Sequence, residues 1–146
     1  MMTLAEVKEF LDREFPQIAS NGRYSVEEVN PNGARLRAAY HESQIRPGGT
    51  ISGPTMMALA DLSLYVAVLA AIGPVALAVT TNLNINFLRR PAPRDLISEC
   101  RLLKLGNRLA VGEVSIFSEG EDEPVAHVTG TYSPFHRAKS PGIILP

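Results

Sequence analysis

Hydrophobic positions along the chain change their spacing several times, and each change marks an element. Leu4, Val7, Phe10 and Leu11 recur on one face of a helix, Thr3 and Glu6 stand as a capping box, and Phe15-Pro16 stops the run. A short amphipathic helix is predicted over residues 1–16. Tyr24-Ser-Val26 then leads through the turn signal Asn30-Pro-Asn-Gly33 to Leu36, Ala38 and Tyr40, which alternate with Arg35 and Arg37. This spacing predicts a hairpin with one wet face. From Pro54 to Ile72 almost every residue is apolar, giving a helix roughly 28 Å long with no polar side.

After that helix the period falls to two. Val79, Thr81, Leu83, Ile85 and Phe87 fall on one side, and Thr80, Asn82, Asn84 and Asn86 on the other, as in a strand with one polar face. Three more extended runs, Leu96 to Leu105, Leu109 to Ser118 and Val125 to Pro134, are joined by Gly106-Asn107 and the acidic turn Glu119 to Pro124. They predict an antiparallel meander, followed by a tail over 136–146 with little to bury. Strands segregated from one long helix give an α+β class and a single domain over 1–146. An all-apolar helix has to be covered on every side, so either the sheet curls around it or a second subunit helps.

The 146 residues are 45% hydrophobic and 20% charged with a net charge of −1, so no broad attraction for nucleic acid or an anionic membrane is expected. Acidic residues at 6, 9, 12 and 14 do not fit a secretory signal, and Gly73-Pro74 interrupts the apolar run from Leu62 to Val79, so that helix is expected to be core rather than a span. The lone Cys100 cannot close an intrachain disulfide, which fits a reducing cytoplasm, and in its extended apolar run it is expected to be a packed thiol. His41, His127 and His136 lack spaced partners, so no metal site is expected.

Two features of the apolar helix carry candidate chemistry. Ser52-Gly53-Pro54 has the residues of a helix start, where unpaired N–H groups at the positive end of the dipole can hold a developing negative oxygen; the same residues equally suit a helix start with no other role. Asp61 is a carboxylate two turns inside the helix. It is either a catalytic acid or base, or a residue tied to an arginine such as Arg46, Arg89 or Arg90. Eight helical residues span roughly 12 Å, too far for Gly53 and Asp61 of one chain to meet at one carbonyl group. If both act, the aspartate comes from a symmetry partner lying alongside, with two sites per dimer.

Gly49, Gly53 and Leu59-Ala60-Asp61, followed by a long helix and the segment TTNLNINFLRRPAP (80–93), resemble the hotdog-fold acyl-CoA thioesterases of the phenylacetate-degradation type over residues 36–132. The resemblance implies an antiparallel sheet wrapped around one central helix, a homodimer that can pair again into a tetramer, and hydrolysis of an acyl-CoA thioester without a metal or bound cofactor. It makes Asp61 the residue that activates water or attacks the thioester, and the Gly53 N–H the donor to the thioester oxygen. The family usually shows His-Gly-Gly where this chain has Ser52-Gly53-Pro54, and Asn or Gln where it has Arg46. Pro54 has no N–H, so backbone donation falls to Gly53 and Thr55.

Around this pair, Arg46 is a candidate for a ligand carboxylate or phosphate and Ser52 for part of the missing histidine's hydrogen bonding. Tyr65, one turn beyond Asp61, is a pocket wall or a core residue; Thr80, Thr81 and Asn82 offer polar groups beside the helix or form an ordinary polar strand face. Arg89 and Arg90, with Arg94 nearby, suit the phosphates of coenzyme A or are solvated strand-end charges. Three functions follow from these residues: an acyl-CoA thioesterase, a non-catalytic acyl-CoA or lipid-like ligand-binding protein, and a dehydratase, for which a histidine near the acid is wanting.

Overall fold

The computed structural model describes residues 1–16, 22–41, 45–46, 50–74, 79–106 and 108–133. Gly48-Gly49, the tail over 136–146 with its His136, and the Arg46 side chain lie outside what is described. Helix α1 (Leu4–Glu14) opens on the expected capping box: the Glu6 N–H donates to Thr3 Oγ1 at 3.2 Å and the Thr3 N–H to Glu6 Oε1 at 2.9 Å. Val7, Phe10 and Leu11 on its inner face are buried.

The strands are β1 (Tyr24–Asn30), β2 (Gly33–Ala38), β3 (Ile45–Arg46), β4 (Thr50–Ile51), β5 (Val79–Phe87), β6 (Leu96–Leu105), β7 (Ala110–Ser118) and β8 (Ala126–Ser133), and helix α2 (Gly53–Ile72) falls between β4 and β5. Six of them form one antiparallel sheet in the order β1-β2-β6-β7-β8-β5. The expected hairpin is β1–β2, closed where the Asn32 N–H donates to Asn30 Oδ1 at 2.9 Å, and the expected meander is β6–β7–β8. Strand β5 does not join its successor β6. It crosses to the far edge and pairs with β8. The two-residue ladder β3–β4 just ahead of α2 is too short to leave any periodicity in the sequence.

One face of the sheet packs on α2. Ala34, Leu36 and Ala38 of β2, Leu96, Ser98 and Cys100 of β6, Ala110, Val114 and Ile116 of β7, and Ala126, Val128 and Tyr132 of β8 are all buried. Gly112 and Gly130 lie under Leu64: a Cβ at Gly112 would sit 2.6 Å from Leu64 Cδ2, and one at Gly130 would collide with Leu64 Cδ1. The missing side chains form a trough that seats the helix on the sheet.

Helix α2 is long and apolar enough to cross a bilayer, but it is the core helix of this fold. Its second half, from Ser63 to Ala70, is enclosed entirely by the chain's own sheet and α1. The first half is not. Pro54, Met57 and Ala58 are exposed and Asp61 is half-buried, a stripe at helical spacing along one side. The outer face of the sheet is charged: Arg37 bonds Glu27 (2.7 Å), Asp95 (2.9 Å) and Glu119 (2.6 Å), while Arg35 bonds Glu27 (3.0 Å) and Glu99 (2.9 Å).

Candidate functional site

The entrance to α2 is built as its sequence suggests. Ser52 is the N-cap in extended conformation; its Oγ accepts the Thr55 N–H at 3.4 Å and shares a 2.8 Å hydrogen bond with Thr55 Oγ1. Gly53 is the first helical residue and Pro54 follows within the first turn, where its lack of an N–H costs nothing. Of the two backbone donors expected here, the Thr55 N–H is engaged by the cap. The Gly53 N–H has no acceptor among the described residues, as a first-turn amide requires an outside partner. A Cβ at Gly53 would lie 3.1 Å from Phe87 Cζ, so the ring at the end of β5 rests on the helix mouth and glycine is what lets it approach. Phe87 itself is half-exposed, with Leu88 beside it and Met57 on the helix.

Asp61 sits at the other end of the uncovered stripe, against β5 and β8. Thr80 Oγ1 donates to its Oδ1 at 2.7 Å, and the Tyr132 hydroxyl lies 2.7 Å from the same oxygen and 2.8 Å from the Asp61 backbone carbonyl. Neither Arg89 nor Arg90 tethers Asp61, and the Arg46 side chain lies outside what is described; the hydrogen bonds seen at this carboxylate come from two hydroxyls. Burial, and after it the negative charge of Asp61, hold the Tyr132 phenol well above its ordinary range, so it remains a proton donor.

A β-bulge brings Thr80 to this position. Leu83 and Ile85 face the helix opposite Gly130 and Val128, and strict alternation would turn Thr80 away with Asn82. The register instead slips at Thr81: Asn82 pairs with Thr131 and Thr80 with Tyr132, which returns Thr80 to the helix side. Of the three polar residues singled out here in the sequence, Thr80 reaches Asp61, whereas Thr81 and Asn82 are exposed; the Thr81 hydroxyl donates to Thr131 O at 3.2 Å and reaches neither Asp61 nor Gly53. Period-two reading cannot see a bulge, so the sequence offers Thr80 as one of three polar strand residues without placing it at Asp61. Tyr132 carried a usable signal, because in the inward column Ala126, Val128, Gly130, Tyr132 it is the one member whose buried hydroxyl needs a partner.

Tyr65 is a core residue, its ring edge-on to Phe15 at 5.4 Å and tilted against Tyr132 at 6.3 Å, and burial pushes its phenol up to about 12. Arg89 turns to the acidic turn, bonding Pro124 O (3.0 Å) and Glu123 (3.2 Å), and Arg94 bonds Glu119 O (3.2 Å). Arg90 is exposed at the strand end. Cys100 is packed, with its thiol raised to about 12 by burial and by the Glu113 charge. Among the described residues no three His, Cys, Asp or Glu side chains converge as metal ligands would. A concavity of about 700 Å³ lies on the outer sheet face, lined by Arg35, Glu99, Arg101, Glu113 and His127, whose charges are already paired with one another. It is on the opposite side of the sheet from Asp61.

Comparison with known proteins agrees with this architecture. The thioesterase superfamily model matches residues 48–125, more than half of the chain. The crystal structure of a candidate thioesterase from Silicibacter sp. TM1040 superposes with a TM-score of 0.83 at 46% identity, covering 91% of this chain and 92% of that one. A candidate esterase from Halobacterium salinarum is 34% identical over 66% of this chain and 67% of its own length. A mutant of the phenylacetic acid degradation protein PaaI from Thermus thermophilus aligns with a TM-score of 0.70 over 80% of this chain and 97% of that one; at 22% identity this likeness bears on the fold alone. With the family model, the helix-on-sheet arrangement and a structure of nearly half-identical sequence in accord, the chain belongs to the thioesterase superfamily and has the hotdog fold.

Proposed function

We propose that the protein is an acyl-CoA thioesterase whose sites form between two copies of the chain, each site taking the Gly53 N–H from one protomer and Asp61 from its partner. The observation that carries this reading is the Asp61 carboxylate itself, held by Thr80 and Tyr132 at the end of the exposed stripe along the first half of α2. A half-buried carboxylate bonded to two hydroxyls, with neither Arg89 nor Arg90 upon it, is suited to take a proton from water.

The topology supports the pairing. Strand β5 is one of the two edges of the sheet and the one beside Asp61; it pairs with β8 on one side only and so has a row of backbone groups open to another chain. A two-fold axis at Leu83, the centre of Val79–Phe87, would bring the Thr80 end of one strand alongside the Phe87 end of the other. Thr80 marks Asp61 and Phe87 marks Gly53, so antiparallel pairing of two β5 edges brings the partner's Asp61 toward the helix mouth. It also lays the exposed halves of the two α2 helices side by side.

In this arrangement the Gly53 N–H donates to the thioester carbonyl oxygen, polarises the carbonyl and stabilises the negative charge that grows on that oxygen. Water attacks the carbonyl carbon while passing a proton to Asp61; the C–S bond then breaks and that proton goes to the leaving thiolate, yielding the free acid and coenzyme A. Direct attack by the carboxylate, giving a transient anhydride that water opens, balances equally. The chemistry calls for no resident metal or redox cofactor, and the chain fits a reducing cytoplasm.

Thiol release from a panel of short, medium, long and aromatic acyl-CoA esters tests the reading. Turnover of at least one ester is expected, and Asp61→Asn is expected to lower kcat by about 100-fold or more with the fold unchanged by circular dichroism. Unchanged turnover in that variant removes Asp61 from the mechanism. Binding of the esters without release across the panel would favour a ligand-binding role, for which the loss of the family histidine at Ser52 is the supporting feature.

A further inference from the structure

We propose that the Tyr132 hydroxyl is a positioning group for Asp61, which together with Thr80 holds Oδ1 of the carboxylate and leaves Oδ2 as the oxygen that faces water or thioester. This rests on the thioesterase reading above. The two donors stand on neighbouring strands in one rung of the ladder, since Thr80 and Tyr132 are register partners: Tyr132 faces the helix by the regular alternation of β8, and the bulge at Thr81 turns Thr80 to the same side. Both meet the same oxygen at 2.7 Å. Two short bonds to one oxygen fix both side-chain torsions of a half-buried aspartate, which would otherwise rotate along the open stripe.

The second contact of Tyr132 gives it a particular use. A phenol has one proton, and here two acceptors compete for it: Oδ1 at 2.7 Å and the Asp61 carbonyl oxygen at 2.8 Å. While Asp61 is ionised its charged oxygen accepts the hydrogen bond from the phenol. When Asp61 accepts a proton during turnover, the hydroxyl can turn to the carbonyl, whose second lone pair remains after its helical hydrogen bond. The buried hydroxyl is therefore satisfied in both states, and the carboxylate cycles without leaving an unpaired donor in the core. The tyrosine is itself fixed: its ring is 4% exposed and packs on Tyr65. Groups facing the pair are Tyr132 from β8, Thr80 from β5, and Tyr65 on α2, with Glu14 of α1 acting on Tyr65.

The test follows the Asp61 signal at pH 7 in protein labelled with carboxyl-13C aspartate. The chain has aspartates only at 12, 61, 95 and 122, and Asp61→Asn assigns the signal. Tyr132→Phe keeps the ring and removes the donor; the Asp61 carboxyl signal is expected to move and broaden, as for a side chain released from one rotamer, and kcat to fall about ten-fold with KM unchanged. A purely structural tyrosine would lower the melting temperature and leave the signal and kcat in place, and that result overturns the proposal. If the variant does not fold, fluorotyrosine in place of tyrosine, a stronger donor, is expected to move the Asp61 signal in the folded protein, and no change there overturns it equally. The NMR readout needs no substrate, so activity retained by Asp61→Asn would refute the thioesterase reading alone and leave the positioning contact to be judged by that signal.

Discussion

Gly33 is fixed by what lies across the ladder. A Cβ there would collide with the backbone carbonyl of Cys100, so β2 and β6 can close at this end only around a glycine. Gly33→Ala is expected to destabilise the fold by about 2 kcal/mol or more, read as a lowered denaturation midpoint with an unchanged slope. Ser63 and Ser98, both fully buried, solve a different problem: their hydroxyls bond each other at 2.6 Å and Ser63 returns a bond to Leu59 O at 2.7 Å. Each polar atom in that pair has a partner, and so two serines are tolerated between α2 and β6. Cys100, with its thiol pushed up to about 12 by burial, is expected to stay unmodified by maleimide at pH 8 in the folded protein and to react once the chain is unfolded. Labelling in the native state would show that β6 opens.

At the scale of elements, the seating of α2 and the tying of the sheet's outer face are separable. Gly130→Ala would press on Leu64 and on Leu83 of the edge strand, and is expected to cost about 1–3 kcal/mol by overpacking, measured by thermal melts. On the outer face, Arg37 joins β1, β2 and the segments flanking β6 and β7. Its bond to Glu27 is the main cause that holds the Glu27 carboxyl below its ordinary range; the Asp95 carboxyl is lowered first by the Tyr40 N–H and then by Arg37. Depressed carboxylates contribute stability that is present above their unfolded values, near 4, and is lost as pH falls through the lower folded values. Arg37→Gln is therefore expected to lower the melting temperature by about 3 °C at pH 7 and by progressively less below pH 4. An equal loss at both pH values would remove these ion pairs from the account.

For the whole molecule, the decisive feature is what one chain leaves open. The second half of α2 is enclosed by its own sheet, whereas the first half and the free edge of β5 are not. Under the proposed pairing, sedimentation is expected to give twice the monomer mass. Asn84→Lys, which would bring like charges together near the two-fold axis, is expected to shift the protein toward monomer and to abolish thiol release in step with dissociation. A monomer that retains full turnover would require Gly53 and Asp61 to act apart, across roughly 12 Å of helix.

The sequence by itself determined the elements and their class, because periodicity follows from which face of each segment must leave water: the capping box of α1, the Ser52 cap of α2, the β1–β2 hairpin and the β6–β7–β8 meander are all local patterns. It also marked Gly53 and Asp61. Only the tertiary structure decided that β5 lies at the edge beside β8, that a bulge at Thr81 turns Thr80 inward, and that Tyr132 closes on Asp61. Strand order and register are set by contacts between residues far apart in the chain, fifty or more positions for Thr80 and Tyr132, and no spacing along one segment encodes them.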